Sequence, residues 1–312
     1  MSNTTQARVL NERQKYWLTV RKKSVPYLLL APVVIFVCCF MLWPILNVFK
    51  MSTESYYATR ALKRHFVGLE NFIKIFTNDS IFVKTLSTTL VYVVFSVALQ
   101  GVFGFWLAYL LTRKFKSRGT FRALSLIPWA VAGLMVGIIW NLMLGQTYGV
   151  INDLLVRFHI IQMKFSWFSS RQYALAAIVI ANIWRGIPFF AISYMSALSG
   201  ISDEIYESCK LDGARPWTTM FHITLPMIRD TIIVTTLLRA LWTFNAVDLI
   251  ISLTDGGPNR GTTTLALYIM RTFSDDFNYG YASALSTIST IIMMVFAFSY
   301  IKFGKLGKGG IV

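Results

Sequence analysis

Ile201-Ser202-Asp203-Glu204-Ile205-Tyr206-Glu207-Ser208-Cys209-Lys210-Leu211-Asp212-Gly213-Ala214-Arg215-Pro216-Trp217, running on through Phe221, Ile223, Leu225 and Pro226, is the polar stretch on which the fold turns. It reads as two short helices with a break. Ser202 stands where a helix N-cap is needed, and Asp203 and Glu204 suit the positive end of the helix that follows. Gly213 can take the left-handed backbone that ends such a helix. Pro216 is tolerated in the first turn of the second helix, and Pro226 re-aims the chain beyond it. The stretch presents Tyr206, Leu211, Trp217 and Phe221 to its surroundings. Two readings fit: a helix pair packed on the bilayer or on its own spans, and a docking surface for another protein.

On either side of this loop lie long apolar runs. The chain has 312 residues, of which 55% are hydrophobic and 14% charged, with a mean hydropathy of +0.56. A soluble domain carries about 25% charged residues, so a soluble enzyme, a disordered chain and a coiled coil are excluded. Crossing a hydrocarbon core of roughly 30 Å takes about 20 helical residues. Runs at about 25–48, 85–111, 121–144, 174–198, 231–253 and 281–301 meet that length. They are continuous rather than alternating, which predicts an all-α membrane protein of six helices and not a barrel. The first run is too long for a cleaved signal, and no small-x-small site follows it; bulky Phe36 and Val37 argue against a lipid anchor at Cys38. Cys38, Cys39 and Cys209 have neither disulfide nor zinc spacing, and the scattered His65, His159 and His222 predict no metal site.

The formal net charge of +16 would suggest nucleic acid in a soluble chain. Here it predicts cytoplasmic loops instead. Arg8, Arg13, Lys15, Arg21, Lys22 and Lys23 fall in segment 1–24, and Arg113, Lys114, Lys116 and Arg118 follow the second run. Lys210, Arg215 and Arg229 lie in loop 199–230, and Lys302, Lys305 and Lys308 in tail 302–312. These sixteen oppose eleven on the other side, where Arg60, Lys63 and Arg64 make the first outer loop basic too. Both termini are expected in the cytoplasm, as six spans require.

Charged groups inside spans cost about 2.5–3.5 kcal/mol on insertion scales and mark functional positions by default. Arg185, Arg239 and Asp248 are three such groups. Asn182, Arg185, Gly186 and Phe189 fall on one helical stripe; Arg239, Trp242, Thr243 and Ala246 form a second. Trp129 and Gly133 stand four apart after Pro128. Each stripe mixes polar, aromatic and small residues, a set suited to a sugar: rings stack, hydroxyls find partners and small residues leave room.

Glu207-Ser208-Cys209, three residues, Gly213, then Ile223-Thr224-Leu225-Pro226 resembles the coupling loop of permease subunits in bacterial ATP-binding-cassette importers. The family pattern is Glu-Ala-Ala, three residues, Gly, nine residues, Ile-x-Leu-Pro; Ser208 and Cys209 replace the two alanines. Gly68-Leu69-Glu70-Asn71-Phe72 is similar to the family's Gly-Leu-x-Asn segment. Thr254-Asp255-Gly256-Gly257-Pro258 with Thr262-Thr263-Thr264-Leu265 resembles an outer loop of the carbohydrate (maltose-type) branch. The resemblance covers about 25–305 and implies a type I importer permease fold in the bacterial inner membrane. It also implies a second homologous permease subunit, two ATPase subunits and an extracytoplasmic solute-binding protein met by loop 49–84 and Asp255 to Arg260. ATPase coupling would fall to Glu207, Ser208, Cys209, Asp212, Gly213, Ala214, Trp217 and Phe221. The chain itself would need no cofactor; ATP and Mg would sit on the partners, and no Gly-x4-Gly-Lys-Ser/Thr phosphate loop is present here.

In the maltose-type branch the positions matching Trp129, Gly133, Asn182, Arg185, Gly186, Phe189, Arg239, Trp242, Thr243 and Ala246 contact sugar. That branch is uncharged where Arg185 and Arg239 stand. Arginine's planar fork matches carboxylate or phosphate, so the expected solute is an acidic oligosaccharide, such as an alginate or pectin fragment. A neutral saccharide or a glycerol-phosphate-type solute is the alternative. Arg185 would then pair with Asp248 or with an acid of the second permease, and Arg239 would reach back toward the cytoplasm. An ion-coupled secondary transporter would need intramembrane acids, and only Asp248 fits; no inverted repeat is visible.

Overall fold

The computed structural model describes residue 25 and residues 27–113 and 115–304. Segment 1–24, Lys114 and residues 305–312 of the tail, including their basic residues, lie outside the described residues. Apolar length and proline placement dictate most of the helices. α1 (Tyr27–Ser52) contains a π-helical turn at Cys38–Leu42, two residues before Pro44. Proline has no N–H for the regular ladder, and the wider turn absorbs the mismatch. A two-stranded antiparallel hairpin, β1 (Glu54–Ser55) and β2 (His65–Phe66), follows, then α2 (Glu70–Thr77).

α3 (Ser80–Thr112) has 33 residues, roughly 50 Å at 1.5 Å per residue. Its start is fixed by Asp79, whose Oδ1 accepts from the Ile81 and Phe82 backbone N–H groups at 2.8 and 3.0 Å. α4 (Arg118–Ala130) and α5 (Gly133–Leu144) meet at a 95° bend. The run 121–144, expected as one crossing, is therefore broken, with Val131 and Ala132 extended between its halves. α6 (Val150–Arg157) leads to α7 (Arg171–Ser199).

The diagnostic loop forms α8 (Asp203–Leu211) and α9 (Pro216–Met227), and α10 (Arg229–Asn245) leaves it at 67°. The run 231–253 is also discontinuous: α10 stops at Asn245, and α11 (Asp248–Thr254) resumes after Ala246 and Val247. α12 (Leu265–Ser274) and α13 (Tyr279–Gly304) complete the chain. Among the described residues four straight helices are long and apolar enough to cross a membrane, or six spans if each bent pair counts as one.

α3 and α7 form the central pair. A Cβ on Gly104 would collide with Phe190, so the glycine lets the two backbones approach. Val97, Phe105, Ala108, Phe190 and Tyr194 make one buried cluster there, joined by Met220 and Ile228 from the α8–α9 end. A second cluster of Tyr92, Val136, Ile178, Leu249 and Ile250 binds α5 and α11 to the pair. At the opposite end Asp79 Oδ2 accepts from the hydroxyls of Tyr268 and Tyr281, both at 2.8 Å. Burial and the Asp79 carboxylate hold the Tyr268 phenol above its usual range, so it remains a donor. α1 packs on α13 through its second half.

Candidate functional site

α5, α7, α10 and α11 converge around the three intramembrane charges. Arg185 Nη1 lies 3.4 Å from Asp248 Oδ2, with 24% and 36% of the two side chains exposed. Asp248 opens α11, where its charge suits the helix N-terminus. Gly133 is required beside them: a Cβ there would overlap the Asp248 carboxylate and stand 2.7 Å from Arg185 Nη1. The α4–α5 break thus brings main chain directly against an ion pair.

Arg239 is built differently. It is 7% exposed, and no carboxylate among the described residues bonds it. Its Nε donates to Gln100 Oε1 at 2.7 Å and its Nη2 to Asn182 Oδ1 at 3.4 Å. The expectation that Arg239 would reach toward the cytoplasm is corrected here: the guanidinium points into the helix crossing, because acceptors are waiting there. It is not open to a solute as a free fork, since two of its donors are taken.

The remaining stripe residues sort by exposure. Trp129 and Trp242 are about half exposed, and Trp242 meets the partly buried Phe189 ring edge-on at 5.2 Å. Ala246 lies at the break after α10, partly exposed. Asn182, Gly186 and Thr243 are buried behind them. Asn182 Nδ2 and Thr243 Oγ1 are buried without a protein partner. The front of the site is therefore aromatic with one reachable ion pair, and the back is polar and closed.

Sequence reading passed over Tyr92, Ser96 and Gln100, one turn apart on α3 and all fully buried. Gln100 Nε2 donates to the Asn182 carbonyl at 2.8 Å, and its amide fills the space a Cβ on Gly186 would need. Their signal was available: polar side chains at i, i+4 and i+8 in an otherwise apolar run, extending a stripe of buried Thr85, Thr88 and Thr89.

At the other end, α8 closes with Gly213 at φ +72°, its N–H donating to the Lys210 carbonyl at 3.1 Å while Ala214 N–H reaches the Cys209 carbonyl at 2.9 Å. That pair of bonds is the Schellman ending. Ser202 occupies the N-cap position with extended backbone, but its hydroxyl makes no cap bond. Ile201, Met220 and Thr224 are buried, and Tyr206 OH lies 3.4 Å from Thr224 Oγ1. Glu207, Ser208, Leu211, Asp212, Gly213, Trp217 and Phe221 are exposed, with Cys209 and Ala214 partly so. Trp217 stacks on Phe221 with centroids 6.0 Å apart, and Trp106 of α3 meets Trp217 edge-on at 6.0 Å.

Residues 94–305 match the family described as binding-protein-dependent transport system inner membrane component. The trehalose/maltose transport system permease protein MalF of Thermococcus litoralis is 30% identical over 291 residues, covering 93% of this chain and 97% of that one. The sulfoquinovosyl glycerol transport system permease protein SmoG of Agrobacterium fabrum is 31% identical over 286 residues, 92% of each chain. In fold, the chain superposes with a TM-score of 0.80 and 21% identity on a crystal structure of a bacterial ABC transporter involved in import of the acidic polysaccharide alginate, covering 94% of this chain and 99% of that one.

Proposed function

We propose, starting from the fact that this chain belongs to the family of binding-protein-dependent transport system inner membrane components, that it forms with a second, related permease the path by which an ATP-driven importer takes in a saccharide. Two ATPase subunits dock on the coupling loops of the two permeases, one of them on the exposed α8–α9 surface of this chain, and an extracytoplasmic binding protein delivers solute to the outer loops. The chain sits in the bacterial inner membrane with both termini in the cytoplasm. ATP-driven closure of the ATPase pair pushes on Glu207 to Phe221, and the bundle alternates between outward and inward access. The names of relatives that carry trehalose and maltose, or sulfoquinovosyl glycerol, support the saccharide class.

The observation that carries the finer reading is the charge count at the site. Arg185 pairs with Asp248, whereas buried Arg239 has no carboxylate partner among the described residues, which leaves one positive charge over at the α7–α10–α11 junction. Burial of an uncompensated charge is costly, and an acidic solute supplies the missing partner. Arg185 is the group that reaches it, exchanging the long contact to Asp248 for a charge-assisted pair with a solute carboxylate, while Trp129 and Trp242 cover the apolar sugar faces. The solute is an acidic oligosaccharide of the uronate type, such as an alginate or pectin fragment. The Arg185–Asp248 contact itself favours the second reading, a neutral saccharide or glycerol-phosphate-type solute, if that pair stays closed during transport.

The test is ATP hydrolysis by the reconstituted importer, stimulated by binding protein loaded with a uronate tetrasaccharide or with its carboxyl-reduced counterpart. A hydrogen bond to a charged group is worth about 1.5–3 kcal/mol, roughly a 10- to 150-fold preference for the acid. Arg185→Gln should erase that preference and leave the complex assembled. Equal stimulation of the unmodified protein by both sugars would return the solute to the neutral class.

A further inference from the structure

We infer that Gln100 is a positioning residue for transport: its amide sets Asn182 and Arg239 at the crossing of α3, α7 and α10, and α3 links that setting to the cytoplasmic docking surface. The inference rests on the solute-site reading above and deepens it, since neither Gln100 nor α3 belongs to the stripes that face the solute.

The geometry requires an amide. Gln100 Oε1 accepts from Arg239 Nε at 2.7 Å, while its Nε2 donates to the Asn182 backbone carbonyl at 2.8 Å. Arg239 Nη2 closes the ring on Asn182 Oδ1 at 3.4 Å. A glutamate would keep the acceptor and lose the donor; a leucine would lose both; an asparagine is one methylene short. The fit is made on the other side by Gly186, because any side chain there would displace the Gln100 amide.

What Gln100 holds are residues with bonding capacity left. Asn182 Nδ2 is buried and unpartnered, and so is Thr243 Oγ1, one turn on from Arg239. Tyr92 OH and Ser96 Oγ, the next two polar positions along α3, are also buried and unpartnered. Lone polar atoms in a low-dielectric interior are expensive, so a row of them beside a pinned arginine is a polar reserve for water or solute hydroxyls. Gln100 fixes where that reserve points.

The other link runs toward the cytoplasm. Trp106 is six residues from Gln100 on the same unbroken helix, roughly 9 Å along its axis. Its indole meets Trp217, which stacks on Phe221. An α-helix moves as a rod over that distance, so displacement of α9 shifts Gln100 against Asn182 and Arg239.

The experiment compares Gln100→Leu, Arg239→Leu, the double variant and Gln100→Glu in the reconstituted importer, with both sugars and maltose as probes. Each variant is read by its thermal midpoint and by two ATPase parameters: the maximal rate and the loaded binding protein needed for half-maximal rate. For Gln100→Leu the half-maximal concentration should rise about tenfold or more, with the maximal rate falling less. In the double variant the charge and its acceptor disappear together, so the thermal midpoint should return toward that of the unmodified complex while the half-maximal concentration stays high. Gln100→Glu keeps Arg239 in place and should weaken the acid most, by adding a negative charge beside it. A double variant that restores both stability and half-maximal concentration would overturn the proposal, as would Gln100→Leu changing the midpoint alone. Equal response of the unmodified protein to acid and neutral sugars removes the acidic reading but leaves Gln100 testable with either. If no probe stimulates, the solute-site reading fails, and with it the positioning role.

Discussion

The helix crossing at Gln100 and the proposed docking surface at Trp217 use their side chains in opposite ways. At the crossing, polar groups from three helices are buried and matched to one another, and glycine is the residue that makes room. At the docking surface, Leu211, Trp217 and Phe221 are left more than half exposed on helices of a few turns. A buried polar ring stabilises only when its partners are all present, because a group left unpaired costs more than the bond contributed. An exposed aromatic pair contributes little until something covers it. Substitutions in the first region should therefore be read in the stability of the permease itself, and those in the second in its affinity for another chain.

The largest effect is expected from Gly186→Val, which places a branched side chain on the Gln100 amide and pushes α7 off α3. Overpacking of this kind costs roughly 1–3 kcal/mol, occasionally more. The purified permease should show a lowered thermal midpoint and poor yield; an unaltered midpoint would mean that the crossing is loosely packed. The paired change Trp217→Ala and Phe221→Ala should leave that midpoint alone while weakening ATPase-subunit binding. Aromatic anchors at interfaces are worth about 2 kcal/mol or more, roughly 30-fold in affinity, measurable by titration of the ATPase subunit. A large fall in the midpoint instead would make the two rings part of the permease core. The smallest effect should come from Gly213→Ala. Nothing lies within 4 Å of a Cβ built there, so the cost is the left-handed backbone alone, about 1–2 kcal/mol. Gly213→Asn should recover part of it, and amide exchange of the α8 ending would report the difference.

The same contrast explains what could be read in advance. The α8–α9 loop follows local rules: Gly213 ends α8, Pro216 opens α9, and Leu211, Trp217 and Phe221 stay outside while Ile201 and Met220 are buried and Tyr206 packs inward. Ser202 takes the N-cap position, but its hydroxyl makes no cap bond, because a capping residue type does not guarantee a capping rotamer. Helix lengths were legible from hydropathy, but the discontinuities were not. Pro128 lies inside α4, and the chain breaks three residues later, at Val131 and Ala132, where nothing in residue type marks it. The break at Ala246 and Val247 is equally silent in composition. Both are tertiary: they occur where Asp248, Arg185 and Gly133 crowd together. The two arginines looked equivalent on helical stripes, since spacing gives a face but not its neighbours. Gln100, arriving from another helix 139 residues away in sequence, holds Arg239 in the buried crossing with Asn182, whereas Arg185 meets partly exposed Asp248.

The break at Val131 and Ala132 has one more implication. A helix that ends leaves its last four carbonyls, and one that begins leaves its first four amides, without helical partners. Within a bilayer such groups are tolerated only where they meet protein or an aqueous cavity. The α4–α5 junction therefore adds main-chain donors and acceptors beside Trp129 and the ion pair. No point substitution deletes a peptide group. If solute passes this wall as proposed, substitutions can repaint its charges and so change which sugar is favoured, while its main-chain carbonyls persist under any side chain and only proline removes an amide donor.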